Sequence, residues 1–247
     1  LGMASGPALG GWIAQLFSLD IMFYCSSFCA LLSVIILFRL RETAKDHTRF
    51  TFRHLAVEKS DLFEPRVLAP CLVMARCAFS YGAVYTVIPD YGKHLNFENT
   101  GVLFMYFTFA SLLVRLIAGR ASDKYGRVTI LRISTALALI SMLVVGTAST
   151  KIHLIIGIVL YGLAQGSTSP TLLAWATDLS DPQRKGRGVA SLYIFMEFGI
   201  GIGALVSGWL FSNDVTRLFL VFVICSSLCL VAFAFLIRSR KQKLQQA

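Results

Sequence analysis

The sequence predicts an all-α integral membrane protein. Of its 247 residues, 56% are hydrophobic and only 15% are charged, and the mean hydropathy is +0.69. Soluble proteins carry roughly 25% charged residues, so a water-soluble fold is excluded. The apolar residues lie in blocks of about 20, the length at which a helix crosses the ~30 Å hydrocarbon core of a bilayer.

Seven of these blocks are long enough to be complete membrane spans. The predicted spans are 21–37, 67–89, 100–118, 128–148, 152–176, 189–211 and 218–237. The opening stretch, 1–17, has the composition of the latter part of an eighth span. Several spans contain Gly or Pro, which membrane helices tolerate when neighbouring groups satisfy the freed backbone.

The net charge of +10 comes from basic residues on alternate connections. Eighteen of the 23 Lys and Arg residues lie in 39–66, 120–132, 184–187 and the tail after residue 237. This imbalance is the positive-inside pattern. It predicts that loops 39–66, 119–127 and 177–188 and the C-terminus are cytoplasmic in a cell membrane. Because this pattern explains the charge and no folded basic face is available, nucleic-acid binding is not expected.

Two consecutive spans have a second copy near the end of the chain. The segment GMASGPALGGWI matches GIGIGALVSGWL at an offset of 197 residues, and CSSFC at 25–29 returns as CSSLC at 225–229. A repeat of this kind indicates an architecture built from copied units. We therefore expect two six-span halves, twelve spans in all, of which this chain contains the end of the fifth helix through the twelfth.

The repeat divides the chain into four predicted parts. Residues 1–38 are the remnant of the N-terminal bundle, 39–66 a cytoplasmic linker, 67–237 a C-terminal bundle of six helices, and 238–247 a cytoplasmic tail. The missing N-terminal half of the same protein and the lipid bilayer are its expected structural partners.

Two motifs resemble the major facilitator superfamily. The first is similar to the fifth-helix motif of its antiporter branches and comprises Gly2, Gly6, Pro7, Gly10 and Gly11. The second is similar to its cytoplasmic loop motif, here between the eighth and ninth helices, and comprises Gly119, Asp123, Lys124, Gly126 and Arg127. Ala121 and Val128 depart from the usual loop pattern. The phrase LLVRLIAGRASDKYGR is especially similar to bacterial drug:proton antiporters.

The residue types in both motifs have physical roles. Glycines spaced by four lie on one helix face and allow close approach of another helix, although ordinary small-residue packing gives the same pattern. Gly119 and Gly126 permit a tight turn between antiparallel helices. Asp123 can contact Arg127 or the N-terminus of a neighbouring helix, and such contacts at a water-exposed rim are weak enough to break. We expect the loop motif to act as a cytoplasmic gate.

Two oppositely charged residues lie near the middle of predicted spans. Of the 13 acidic residues in the sequence, only Glu197 lies well inside a predicted span. A charge at that depth costs roughly 2.5–3.5 kcal/mol. Arg76 lies at a similar depth. The resemblance makes their helices the seventh and eleventh, which are expected to be neighbours. We predict that Arg76 and Glu197 interact, either as a structural pair or as a proton-sensitive switch.

Four uncharged residues are candidates for a ligand cavity: Tyr81, Tyr85, Tyr106 and Gln165. Aromatic and amide groups at midplane depth suit an amphiphilic ligand, and they equally suit helix packing. Neither a metal nor another cofactor is expected, because the four His residues all lie in connections and the six Cys residues show no CxxC spacing.

The resemblance implies a secondary active transporter of the bacterial inner membrane. The favoured mode is export of a small molecule by alternating access, with protons as the coupling ion. A sugar or metabolite symporter of the same superfamily is the alternative. From another class, a seven-helix receptor matches the span count but does not predict the repeat. A membrane enzyme is not expected, because clustered His, Asp or Cys residues at a membrane face are absent from the sequence.

Overall fold

The computed structural model describes residues 2–39, 63–212 and 214–245. Helices make up almost all of these ranges, and no strand occurs within them. The α-helices are α1 (Gly2–Leu16), α2 (Leu19–Leu37), α3 (Leu68–His94), α4 (Gly101–Tyr125), α5 (Arg127–Gly146), α6 (Lys151–Leu179), α7 (Lys185–Phe211) and α8 (Leu218–Gln245). The helices from α2 to α8 are long and apolar enough to cross a membrane. The predicted all-α membrane fold is confirmed. The division into four parts stays a prediction, and most of the expected linker lies outside the described residues.

Helices α3, α4, α6 and α8 continue past the ends of the predicted spans. Helix α4 ends at Tyr125 rather than near residue 118, and only Gly126 separates it from α5. Gly126 has a φ of +88°, a backbone conformation that residues with a Cβ rarely adopt. Gly119 lies within α4, so the prediction that it forms part of the turn was wrong. Hydropathy marks where a helix leaves the hydrocarbon, whereas backbone hydrogen bonding continues beyond that depth.

Polar side chains cap the starts of two of the helices. Ser18 accepts a hydrogen bond from the backbone N–H of Ile21 at 3.2 Å, and Thr150 accepts one from His153 at 3.2 Å. These N-caps satisfy backbone donors that have no partner within the helix. They fix the starts of α2 and α6 directly after short connections.

Helices α3 to α8 form a bundle with two large apolar clusters toward its opposite ends. One cluster joins the end of α3 to the start of α4 and includes the fully buried Ile88, Leu103 and Phe222. The other lies around the start of α3 and includes Leu172 and Leu236. Together the clusters connect all six helices of this bundle.

A close contact between backbones joins α3 to α7 through glycines. A Cβ added to Gly203 would lie 2.1 Å from the Phe79 carbonyl oxygen, and one added to Gly199 would lie 2.4 Å from that of Ala75. From the other side, a Cβ on Gly82 would lie 2.1 Å from the Ile200 carbonyl oxygen. No side chain fits between the two backbones at these positions. We call this contact the glycine seam.

Helices α1 and α2 lie outside the bundle. None of the residues in α2 is buried, and α1 packs mainly on α4. The α1 glycines were expected to allow close approach of another helix. At Gly6 no atom of the described residues lies within 4 Å of a Cβ built there. The backbones of Gly2 and Pro7 belong to α1, and Gly10 faces Met22 of α2.

The glycine seam predicts that a single methyl group on one face of α7 is destabilising. Gly203→Ala should lower the free energy of unfolding by about 1–3 kcal/mol, because the Phe79 carbonyl must move. Gly201→Ala is the matched control: in the part of the chain that the structure describes, nothing lies within 4 Å of its added Cβ, and alanine favours the helix. Thermal unfolding followed by circular dichroism in detergent measures both. Equal stabilities of the two variants would contradict the seam.

Candidate functional site

The loop motif forms an ion-pair cluster that joins three helices. Arg127, the first residue of α5, contacts the carboxylate of Asp123 on α4, as expected. Its Nε also donates to Oδ2 of Asp178, near the end of α6, at 3.0 Å, and its Nη1 donates to the hydroxyl of Ser122 at 3.0 Å. Lys124, another residue of the loop motif, places its ammonium group over the ring of Tyr125. The sequence did not identify Asp178, because that contact spans 51 residues.

This cluster is suited to breaking and re-forming. The side chains of Arg127, Asp123 and Asp178 are 25%, 68% and 54% exposed. Ion pairs with this exposure contribute little, on the order of 1 kcal/mol or less each. The cluster therefore orients the α4–α5 turn without locking it.

A second, more buried ion pair ties the residues before α3 to α7. The Glu64 side chain is only 3% exposed, and its Oε2 accepts a hydrogen bond from Nε of Arg187 at 3.0 Å. The backbone N–H of Glu64 donates to the hydroxyl of Ser191 at 2.9 Å. The Arg187 guanidinium holds the pKa of the Glu64 carboxyl below its usual value of 4.5. The contact spans 123 residues, so sequence patterns did not reveal it.

The structure does not bring Arg76 and Glu197 together. Their helices pack closely, as expected, but Nη1 of Arg76 donates to the carbonyl oxygen of Leu72 on its own helix at 2.7 Å. No ion pair between the two residues occurs in the described part of the chain. The reason is helix geometry: Glu197 is two residues, or about 200° of rotation, away from Gly199, which faces α3. Glu197 is exposed on another face of α7.

Two of the four cavity candidates meet in an aromatic cluster. The rings of Tyr81 and Tyr85 on α3 are 4.5 Å apart, and Tyr85 lies 4.6 Å from Phe104 of α4. Phe107 links Tyr81 to Tyr161 of α6, a residue that the sequence did not single out. The other two candidates take no part in these ring contacts: Tyr106 is 41% exposed on α4, and Gln165 is half-buried on α6.

The aromatic cluster contains two hydroxyl groups that can bind a further polar group. The hydroxyls of Tyr85 and Tyr161 are buried and, within the described residues, neither makes a hydrogen bond of normal geometry, although the Tyr85 hydroxyl lies close to that of Tyr81. Leaving such a group unsatisfied costs about 1–3 kcal/mol. The cluster thus offers flat apolar surface with polar donors, a chemistry that fits an amphiphilic ligand.

A separate cavity of about 330 Å³ lies at the end of the bundle where α3 finishes and α8 begins. Its lining includes Tyr91, His94, Ser149, Thr216 and Phe219, none of which the sequence singled out. Within the described ranges, no three His, Cys, Asp or Glu residues are grouped as a metal site.

Comparison with known families gives a match over the whole chain. A sequence profile described as "Major Facilitator Superfamily" matches residues 1–106 and, in a second and overlapping match, residues 78–247. The match includes both motifs, the ion-pair cluster and the aromatic cluster.

Individual relatives are more distant and are matched over part of the chain. The "Uncharacterized MFS-type transporter YhhS" of Salmonella enteritidis is 23% identical over 137 residues, which are 56% of this chain and 34% of the relative. The same protein of Salmonella typhimurium matches equally. A "Triacylglyceride transporter" of Mycolicibacterium smegmatis is 30% identical over 148 residues, 58% of this chain and 25% of the relative. The chain thus spans about a third of the length of the Salmonella relatives and a quarter of the Mycolicibacterium relative.

The Glu64–Arg187 pair predicts a specific dependence of stability on pH. Because the pKa of Glu64 is lower in the folded protein, its stabilising contribution is present above pH 4.5 and is lost as the pH falls through the lowered value. Glu64→Gln should reduce the stability of the protein at neutral pH. The variant should also lose less stability than the wild type when the pH is lowered. Thermal unfolding of both proteins between neutral and acidic pH tests this. Parallel curves for wild type and variant would show that Glu64 titrates as it does in the unfolded chain.

Proposed function

Because this chain belongs to the Major Facilitator Superfamily, we propose that it acts within a secondary active transporter that exports a small molecule in exchange for protons. The observation that carries the proposal is the family match over the whole chain. The two relatives that are named as transporters support the proposal. A first half outside this sequence would complete the transporter, and the bacterial inner membrane is its proposed location.

The distribution of strong and weak contacts supports alternating access. The glycine seam holds α3 against α7, and the two apolar clusters join α3 to α8 into one packed unit. Close packing of this kind favours movement as a single body. The ion pairs of the cluster around Arg127 are exposed, and each of them is weak. Such a unit can rock against a second half while exposed ion pairs at its rim break and re-form.

Glu197 is the proposed proton-coupling residue. It lies near the middle of α7 and is exposed on a face that the bundle does not cover. An ionised carboxylate at membrane depth costs roughly 2.5–3.5 kcal/mol and is found facing a cavity or a protein partner. Reversible proton binding at this position would remove the charge in one half of a transport cycle. The pairing with Arg76 is not needed for this role.

The aromatic cluster is the proposed site of contact with the substrate. Tyr81 and Tyr85 present aromatic faces beside the buried hydroxyls of Tyr85 and Tyr161. This combination favours an amphiphilic molecule with a hydrogen-bonding group over a sugar, whose many hydroxyls require more polar partners. The Mycolicibacterium smegmatis relative is named a triacylglyceride transporter, and this name agrees with the proposal of a largely apolar substrate.

Neutralising Glu197 should abolish proton-driven export without unfolding the protein. We expect Glu197→Gln to remove acidification-driven movement of ethidium, an amphipathic fluorescent cation, in inverted membrane vesicles containing the complete transporter. Ethidium counterflow without a proton gradient should persist, because the substrate contacts are intact.

The matched control is Asp90→Asn, which removes an exposed carboxylate at the end of α3 away from the membrane centre. This variant should keep proton-driven movement. Collapse of the pH gradient by an ionophore should stop movement in the wild type. If Glu197→Gln vesicles respond to the gradient as the wild type does, the coupling role of Glu197 is wrong.

A further inference from the structure

The cavity of about 330 Å³ at the end of α3 has an apolar part and a polar part. Leu218 and Phe219, the first residues of α8, supply apolar lining, and among the described helices the span that contains α8 has the highest hydropathy. The polar lining includes His94, the last residue of α3, Ser149 in the α5–α6 connection, and Thr216, just before α8. A cavity that combines a span start with polar helix ends lies where the hydrocarbon meets the headgroup region of a bilayer.

The floor of this cavity is held by contacts between distant parts of the sequence. The buried Tyr91 of α3 donates a hydrogen bond from its hydroxyl to the carbonyl oxygen of Ala148, 57 residues away in the α5–α6 connection. The ring of Tyr91 also lies 6.3 Å from that of Phe222 on α8. A Cβ on Gly146 would be only 2.8 Å from Cβ of Phe222, so α5 and α8 approach closely here. Because three helices fix the floor, the cavity exists before a ligand binds.

The mouth of the cavity is open. His94, Ser149 and Thr216 are exposed, and Phe219 is 52% exposed. The next residue of α8, Leu220, is 50% exposed. Apolar side chains that are exposed at the start of a membrane span contact lipid chains. A molecule in the cavity therefore meets lipid on the side of α8 and water on the side of the connections.

Two basic side chains, Lys93 and Arg217, are each adjacent in the chain to a residue of the polar lining. Nζ of Lys93 lies 3.3 Å from Oδ1 of Asp90, and Nε of Arg217 lies 3.2 Å from Oδ2 of Asp214. Both pairs are exposed, and exposed ion pairs are weak. An ammonium group has three N–H donors and a guanidinium has five, so both side chains can also bind a phosphate oxygen.

We propose that this cavity binds one phospholipid of the adjacent membrane leaflet. The phosphodiester lies beside His94, Ser149 and Arg217, and the start of one acyl chain lies against Leu218 and Phe219. The imidazole and the serine hydroxyl each supply a hydrogen-bond donor for the phosphate oxygens. The bound lipid is a fixed component of the protein and not the exported molecule, so the site goes beyond the proposed transport activity.

A phospholipid is favoured because it uses both parts of the lining. Inorganic phosphate offers the same anionic oxygens but leaves the apolar surface of Leu218 and Phe219 uncovered. A purely apolar molecule covers that surface but removes water from the polar lining without replacing its hydrogen bonds, which is costly. The phospholipid combines an anion with an apolar chain, and the bilayer supplies it at the depth of the cavity.

Photo-crosslinking locates the lipid directly. The probe is a phosphatidylglycerol that carries a diazirine near the start of one acyl chain, mixed at low concentration with the complete protein in detergent. After irradiation and digestion, mass spectrometry measures the modified peptides. We expect label on the segment that contains Leu218 and Phe219. Unlabelled dioleoylphosphatidylglycerol should displace the probe, whereas equal concentrations of dioleoylglycerol, which lacks the phosphate, or of inorganic phosphate, which lacks the chains, should not.

Two pairs of variants test whether the lipid occupies the cavity. Ser149→Phe places a ring in the cavity and should lower the labelling roughly tenfold, because the ring excludes the headgroup. Thr147→Phe, in the same connection but outside the lining, should label as the wild type does. Arg217→Gln should lower the labelling roughly threefold, the effect of losing one exposed charge contact. Its matched control is Arg66→Gln, which removes an exposed arginine paired with an aspartate at the other end of α3. Thermal unfolding verifies that each variant is folded.

Three results would each overturn the phospholipid site. Equal labelling of Ser149→Phe and Thr147→Phe would show that the lipid does not occupy the cavity. Displacement of the probe by inorganic phosphate would identify a site for a free anion. Displacement by dioleoylglycerol as effective as that by dioleoylphosphatidylglycerol would show that the phosphate is not recognised. None of these results bears on the transport proposal, because its test follows ethidium and the proton gradient.

Discussion

The rest of the bundle depends on the glycine seam, where the backbones of α3 and α7 touch. In a lipid environment apolar side chains gain nothing by leaving lipid for protein, so hydrophobicity alone does not bring helices together. Close packing does, and Gly82, Gly199 and Gly203 permit it because they place no side-chain atom of their own in the contact. With α3 held by α7, its other faces are available to α4, α6 and α8, and the two apolar clusters form around it.

The internal repeat shows that the same sequence pattern acquires different environments. The glycines Gly199 and Gly203 are buried against α3, whereas a Cβ on Gly6, the repeat equivalent of Gly203, would meet no atom of the described residues within 4 Å. The cysteine pairs behave alike: Cys225 and Cys229 are fully buried in α8, and their equivalents Cys25 and Cys29 are exposed in α2. The pattern specifies a surface that can be packed, and the neighbouring helices determine whether it is.

Much of the fold could be predicted from the sequence, because span length and hydropathy report directly on membrane helices. Contacts within one turn were also accessible: Asp123 and Arg127 are four residues apart and do meet. The contacts of Glu64 with Arg187 and of Gln15 with Glu98 were not, because no periodicity encodes which distant residues become neighbours. The expected Arg76–Glu197 ion pair does not form, for a related reason. The sequence indicates how deep each residue lies in the membrane, but it does not indicate which face of its helix each side chain occupies.

The central claim is that packing around the glycine seam, rather than local sequence, decides which residues of this chain are protected. The most direct measurement is alkylation of the two repeated cysteine pairs by N-ethylmaleimide in the folded protein in detergent, followed by mass spectrometry. The account predicts that Cys25 and Cys29 react while Cys225 and Cys229 stay protected until the protein is unfolded. Reaction of all four at the same rate in the folded protein would contradict it.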